Sequence, residues 1–91
     1  MAKQAPKPPG TIVKTTFYKI VGDGDIEHGK NRVDYWDNQY GFQEVCRPNP
    51  HNRRETLVSV EKALDWLESQ EWMTLGDYRR IKKGLKKYRK K

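Results

Sequence analysis

The sequence predicts a small α+β domain in which a three-stranded antiparallel β-meander precedes two α-helices, the second of them strongly basic. Three observations lead to this fold class. β-branched and aromatic residues concentrate in the first half of the chain, turn residues interrupt them, and apolar residues recur at helical spacing after Ser59. With 91 residues, the chain suffices for one domain with a thin core.

The composition of the first ten residues predicts a flexible arm. Residues 1–10 contain three prolines, one glycine and two lysines, but almost no apolar side chain that could be buried. We therefore expect residues 1–10 to be a mobile basic arm and residues 11–91 to form the single domain.

The predicted sheet occupies residues 11–46. Its first strand, 11–21, is rich in β-branched and aromatic residues and ends at the turn sequence Gly22-Asp23-Gly24-Asp25. Further strands are predicted over 32–36 and 40–46, with a turn between them.

A connector and a helix follow the predicted sheet. Residues 47–58 contain two prolines and are expected to be irregular. A helix is predicted over 59–70, with Ser59 as its N-cap and Glu61 in its first turn, where the helix dipole favours an anion. Its apolar stripe would face the core and consists of Val60, Ala63, Leu64 and Leu67.

A second helix is predicted over residues 75–90. Thr74 and Asp77 stand three apart, which is typical of a capping box at a helix start. Gly84 is unfavourable there, at a cost of about 1 kcal/mol relative to alanine. The narrow apolar stripe of this helix consists of Tyr78, Ile81, Leu85 and Tyr88.

Positive charge concentrates at the end of the chain. Residues 79–91 contain nine Lys or Arg and no acidic residue, whereas residues 1–78 contain ten basic and twelve acidic residues. Like charges three and four apart disfavour an isolated helix, so a counter-anion is expected. Such a surface attracts polyanions.

We therefore expect a non-enzymatic nucleic-acid-binding protein, for DNA or RNA, whose basic C-terminal helix contacts phosphates with low sequence specificity. A smaller basic cluster in the connector, which also includes Arg47 and His51, would assist. The expected binding residues are Arg53, Arg54, Arg79, Arg80, Lys82, Lys83, Lys86, Lys87 and Lys90.

Trp36 is the best candidate for an exposed ring, because it would point away from the core face of the second strand. It could stack on bases or serve as an interface hot spot. The alternative function is thus a protein-interaction module, an adaptor or inhibitor, that docks on an acidic protein. Residues 59–91 also have the outline of a helix–turn–helix pair, although any helical hairpin gives the same outline.

Metal sites and catalysis receive little support from the sequence. Asp23, Asp25 and Glu27 have the spacing of a calcium loop, with Asp34 at its last position, but the required glycine is displaced and a strand is predicted before them. Cys46, His51 and His28 supply only three zinc ligands. We expect no metal, no cofactor and no enzymatic activity.

The cysteine count and the distribution of apolar residues indicate where in the cell the protein is expected. A single cysteine excludes an intramolecular disulfide, and we find neither a secretory leader nor an apolar stretch of membrane-spanning length. A cytoplasmic protein with no membrane contact is expected. The choice between DNA and RNA and the oligomeric state stay open.

Overall fold

A computed structural model describes residues 10–50 and 52–88, except the side chain of Arg53. This part of the chain forms three strands and four α-helices, two of the helices lying between the first and second strands. The elements are β1 (Thr11–Val13), α1 (Lys14–Val21), α2 (Ile26–Tyr40), a 3₁₀ turn (Phe42–Val45), β2 (Cys46–Asn49), β3 (Asn52–Ser59), α3 (Val60–Glu68), α4 (Leu75–Leu85) and a second 3₁₀ turn (Lys86–Tyr88).

The predicted β-meander followed by two helices is wrong. The first predicted strand, 11–21, is a strand only over Thr11–Val13, and the second, 32–36, lies inside α2. The third, 40–46, holds the end of α2 and the 3₁₀ turn. β-propensity measures how well a side chain suits a half-buried pleated surface, so tertiary context overrides it.

The sheet forms partly from the segment that was predicted to be a connector. Residues 47–58 supply most of β2 and β3, and the strand order is β1-β3-β2 with antiparallel pairing throughout. Thr11 pairs with Ser59, and Cys46 pairs with Val58. Pro48 is tolerated because β2 is an edge strand, where a missing N–H need not break a central ladder.

Helices α1 and α2 form a tight pair joined by a turn over residues 22–25. A Cβ atom on Gly29 would overlap the carbonyl oxygen of Tyr18, and one on Gly22 would overlap that of Asp25. Only glycine therefore permits this approach of the two backbones. The carboxylate of Asp25 caps α2 by accepting from the N–H of His28 at 3.1 Å.

The two C-terminal helices agree with their local sequence signals. Ser59 caps α3 and Thr74 caps α4, whose Asp77 N–H donates to the threonine hydroxyl at 3.2 Å. The predicted stripe of α3 is buried, as are Ile81 and Leu85 of α4. The α-helix predicted over 75–90 ends at Leu85, and residues 89–91 lie outside the described part.

Aromatic rings occupy the centre of the core. Phe17 of α1 stacks on Phe42 at 5.2 Å between centroids, and Trp66 of α3 meets Phe42 edge to face at 4.8 Å. These contacts join the N-terminal and C-terminal elements. Within residues 10–50 and 52–88, the structure has no helix of the length and apolarity that crossing a membrane requires.

Candidate nucleic-acid interface

The exposed side of α4 and the turn after it carry a cluster of cations that we call the basic ridge. Four exposed side chains border one surface groove of about 320 Å³. Among the described residues, this border contains no acidic group. The four residues are Arg79, Lys82, Lys83 and Lys86.

Packing on the opposite side of α4 holds the basic ridge in place. Ile81 and Leu85 are fully buried, and Gly84 lets α4 approach α1 closely. A Cβ atom on Gly84 would lie 2.7 Å from a methyl group of Ile20. The glycine that is unfavourable for the helix alone thus serves the helix–helix contact, and core burial opposes the repulsion among the lysines.

Arg80 has a structural role in addition to its predicted place among the phosphate-binding residues. Its guanidinium donates to the carbonyl oxygens of Ile20 and Val21 at 2.8 Å each. These carbonyls belong to the last turn of α1, where a cation both completes their hydrogen bonding and complements the helix dipole. Because these contacts commit its donors, we leave Arg80 out of the basic ridge.

The other predicted phosphate-binding residues lie elsewhere. Lys87 is exposed beside a second groove of about 340 Å³ between α1 and α4, and its ammonium lies 5.2 Å from the Tyr88 ring centre. Arg54 is exposed on β3, near the tip of the β2–β3 hairpin. His51, Lys90 and the Arg53 side chain are not among the described residues.

Trp36 is not an exposed ring, so that prediction is wrong. It is only 3% exposed and packs against Phe42, Trp66 and Trp72, with centroid distances of 5.9, 6.0 and 5.5 Å. The prediction failed because residues 32–36 are helical, and helical rotation turns this ring towards the core.

Two tyrosines are exposed instead of Trp36. Tyr35 and Tyr40 are 56% and 40% exposed, and Tyr40 stacks on the half-buried Trp72 at 4.8 Å. Together with Arg32, they border a groove of about 430 Å³. Exposed aromatic rings were predicted from the sequence, but Trp36 was the wrong ring to choose.

An ion pair joins α1 to α2 and lies beside the start of β2. The Lys14 ammonium lies 2.7 Å from the Asp37 carboxylate. Burial lowers the pKa of Lys14, but the hydrogen bond to Asp37 and electrostatic interaction with Cys46 and Asp37 raise it overall above its ordinary value. Burial also raises the pKa of the Cys46 thiol, which interacts with both charged groups. This cysteine is therefore a poor nucleophile at neutral pH.

The described part of the fold gives no support to the calcium or zinc alternatives. Among the residues that the structure describes, no three His, Cys, Asp or Glu side chains come together in a way that could hold a metal ion. The carboxylate of Asp25, one of the three acidic residues in the calcium-like spacing, caps α2.

Sequence reasoning missed the outer face of α2. Glu27, Asn31 and Asn38 are exposed there, opposite the buried Gly29 and Val33. The turn over residues 22–25 could have revealed this face, because apolar residues recur at helical spacing on both sides of it.

Comparisons with protein-family models, with curated proteins and with solved structures give no match to this chain.

Proposed function

We propose that the protein is a non-enzymatic nucleic-acid-binding protein that contacts phosphates through the basic ridge of α4. The observation that carries this proposal is the convergence of four exposed cations on one groove whose described border contains no acidic group. Cations placed so closely repel one another, and a phosphate backbone would relieve that repulsion while releasing its own counterions. Phosphate contacts carry no sequence information, so this surface alone gives low sequence specificity.

The salt dependence of binding measures the number of phosphate contacts. Each contact contributes roughly 0.9 to the slope of log affinity against log salt concentration for duplex DNA, and roughly 0.7 for single strands. If all four ridge cations contact duplex phosphates, they account for about 3.6 of the slope.

The test is fluorescence-anisotropy binding to duplex DNA, single-stranded DNA and RNA over a salt series. Lys83→Gln removes one ridge cation and should lower the slope on duplex DNA by about 0.9. Lys62→Gln is the matched control, because Lys62 is also an exposed helical lysine but lies on α3, away from the ridge. It should leave the slope unchanged.

A double variant extends this test. Replacing Lys83 and Lys86 together should lower the slope by about 1.8 on duplex DNA, because both residues border the same groove. Equal effects of Lys62→Gln and Lys83→Gln would disprove a localised ridge. Absence of binding to every polymer at low salt would disprove nucleic-acid binding altogether.

A second candidate function is docking on an acidic protein. The observation that favours it is the groove bordered by Tyr35, Tyr40 and Arg32, since Tyr and Arg are enriched among interface hot spots. Tyr40→Ala separates the two functions. It should weaken a protein complex at least tenfold, as expected of a hot spot, and leave the salt slope for nucleic acid unchanged.

A further inference from the structure

The pair formed by α1 and α2 is a helix–turn–helix in outline. Its connection spans residues 22–25, and the close approach of the two helices requires Gly22 and Gly29. Helix–turn–helix units use a turn of about three or four residues that often contains glycine. The connection between α3 and α4, residues 69–74, is longer. The α1–α2 pair therefore fits this motif better than the C-terminal pair.

The outer face of α2 carries side chains that can read bases. Glu27 and Asn31, on the N-terminal turns, are exposed and lie within about 40° of each other at helical spacing. An asparagine can bond two edge atoms of adenine, and a glutamate can accept from the amino group of cytosine. These groups suit a groove that presents donors and acceptors in a base-specific pattern.

The exposed lysine of α2, Lys30, is paired with Asp34 at 3.0 Å, so cations free to contact phosphates must come from other elements. Three acidic residues of α2 outnumber its lysine and arginine, so this helix on its own does not attract DNA. Lys19 is exposed on α1, and Arg47 and Arg54 are exposed on the β2–β3 hairpin. The interaction of the Cys46 thiol with the Lys14–Asp37 pair places the start of β2 near the C-terminal end of α2. A reading helix with cations on neighbouring elements is complementary to a major groove bordered by two phosphate backbones.

We infer that α2 enters the major groove of duplex DNA. Its N-terminal turns then place Glu27 and Asn31 at base edges, as the second helix of such a pair does. Lys19, Arg47 and Arg54 contact phosphates beside the groove. This inference rests on the proposed function and adds to it a sequence preference, which phosphate contacts of the basic ridge alone would not give. Double-stranded RNA is a poorer ligand, because its major groove is too narrow for side chains to read.

The test begins with selection of preferred sites from a random duplex library by the full chain. Wild-type affinity is then compared between the selected duplex and a scrambled duplex of the same composition. Asn31→Ala should reduce this ratio of affinities by about 5- to 150-fold, the value of one good base contact. Its affinity for the scrambled duplex and its salt slope should not change.

Asn38→Ala is the matched control. Asn38 is the same residue type on the same exposed face, about two turns closer to the C-terminus, where base contact is not expected. Its affinity ratio should equal that of the wild type. Thermal unfolding of both variants checks that each is folded.

Each outcome has a distinct consequence. Salt-dependent binding without enrichment of any sequence, or a preference that survives Asn31→Ala, would overturn the inference and leave the proposed function intact. Stronger binding to RNA or to single strands would also overturn it. Failure to bind any nucleic acid would overturn both proposals.

Discussion

Residues 10–59 combine core burial with a close backbone approach and with strand pairing between distant segments, whereas α3 and α4 are held mainly by apolar stripes that bury against the core. In the first region, a single added methyl group on Gly29 would overlap the Tyr18 backbone. In the second, Gly76 has nothing within 4 Å of its would-be Cβ atom. The α1–α2 contact therefore has little room for added atoms, whereas the first turn of α4 has room for them.

Trp36 tests the junction between the two regions, and its loss should have the largest effect. Trp36→Ala would empty a site that contacts α3 and the segment before α4, and we expect a loss of about 3–5 kcal/mol of unfolding free energy. The neighbouring Tyr35→Ala, at a 56% exposed position, should cost within about 0.5 kcal/mol. Urea denaturation measures both. Similar costs for the two variants would contradict the position of α2 on the core.

Gly29→Ala tests the close backbone contact in the N-terminal region. The added methyl group meets a backbone carbonyl that cannot rotate away, so we expect a cost of about 3 kcal/mol, at the upper end of overpacking effects. Gly76→Ala, in the first turn of α4, should instead stabilise the protein by about 0.5–1 kcal/mol. If both substitutions stabilised, the tight α1–α2 contact would be refuted. Denaturant midpoints provide the comparison.

Arg79 and Arg80 are neighbours on α4 that we expect to act differently. Arg80→Gln weakens two charge-assisted hydrogen bonds to the end of α1 and should cost about 1–2 kcal/mol of unfolding free energy. Arg79→Gln should change stability by less than about 0.5 kcal/mol but lower the salt slope of duplex binding by about 0.9. Thermal unfolding and binding titrations on the same two variants test this division. The division would be wrong if Arg80→Gln left stability unchanged.

The accuracy of sequence reasoning also differs between the two regions. Ser59 and Thr74 identify the starts of α3 and α4 because a helix cap acts within three residues of the helix end. The run 11–21 misled because its β-branched residues favour a strand, although Phe17, Ile20 and Val21 also recur at helical spacing. β2 and β3 gave almost no signal, since Pro48 interrupts β2 and the first four residues of β3 are polar.

The sequence by itself determined the start, apolar stripe and positive charge of the C-terminal helix, since caps, helical spacing and net charge are properties of neighbouring residues. Only the tertiary structure decided that Trp36 is buried, that Arg80 caps α1 while Arg79 lies on the basic ridge, and that α1 and α2 pair through Gly29. Each of these outcomes depends on a partner far away in the chain. Burial and hydrogen bonding depend on which distant segments come into contact, and the local residue pattern does not show which segments these are.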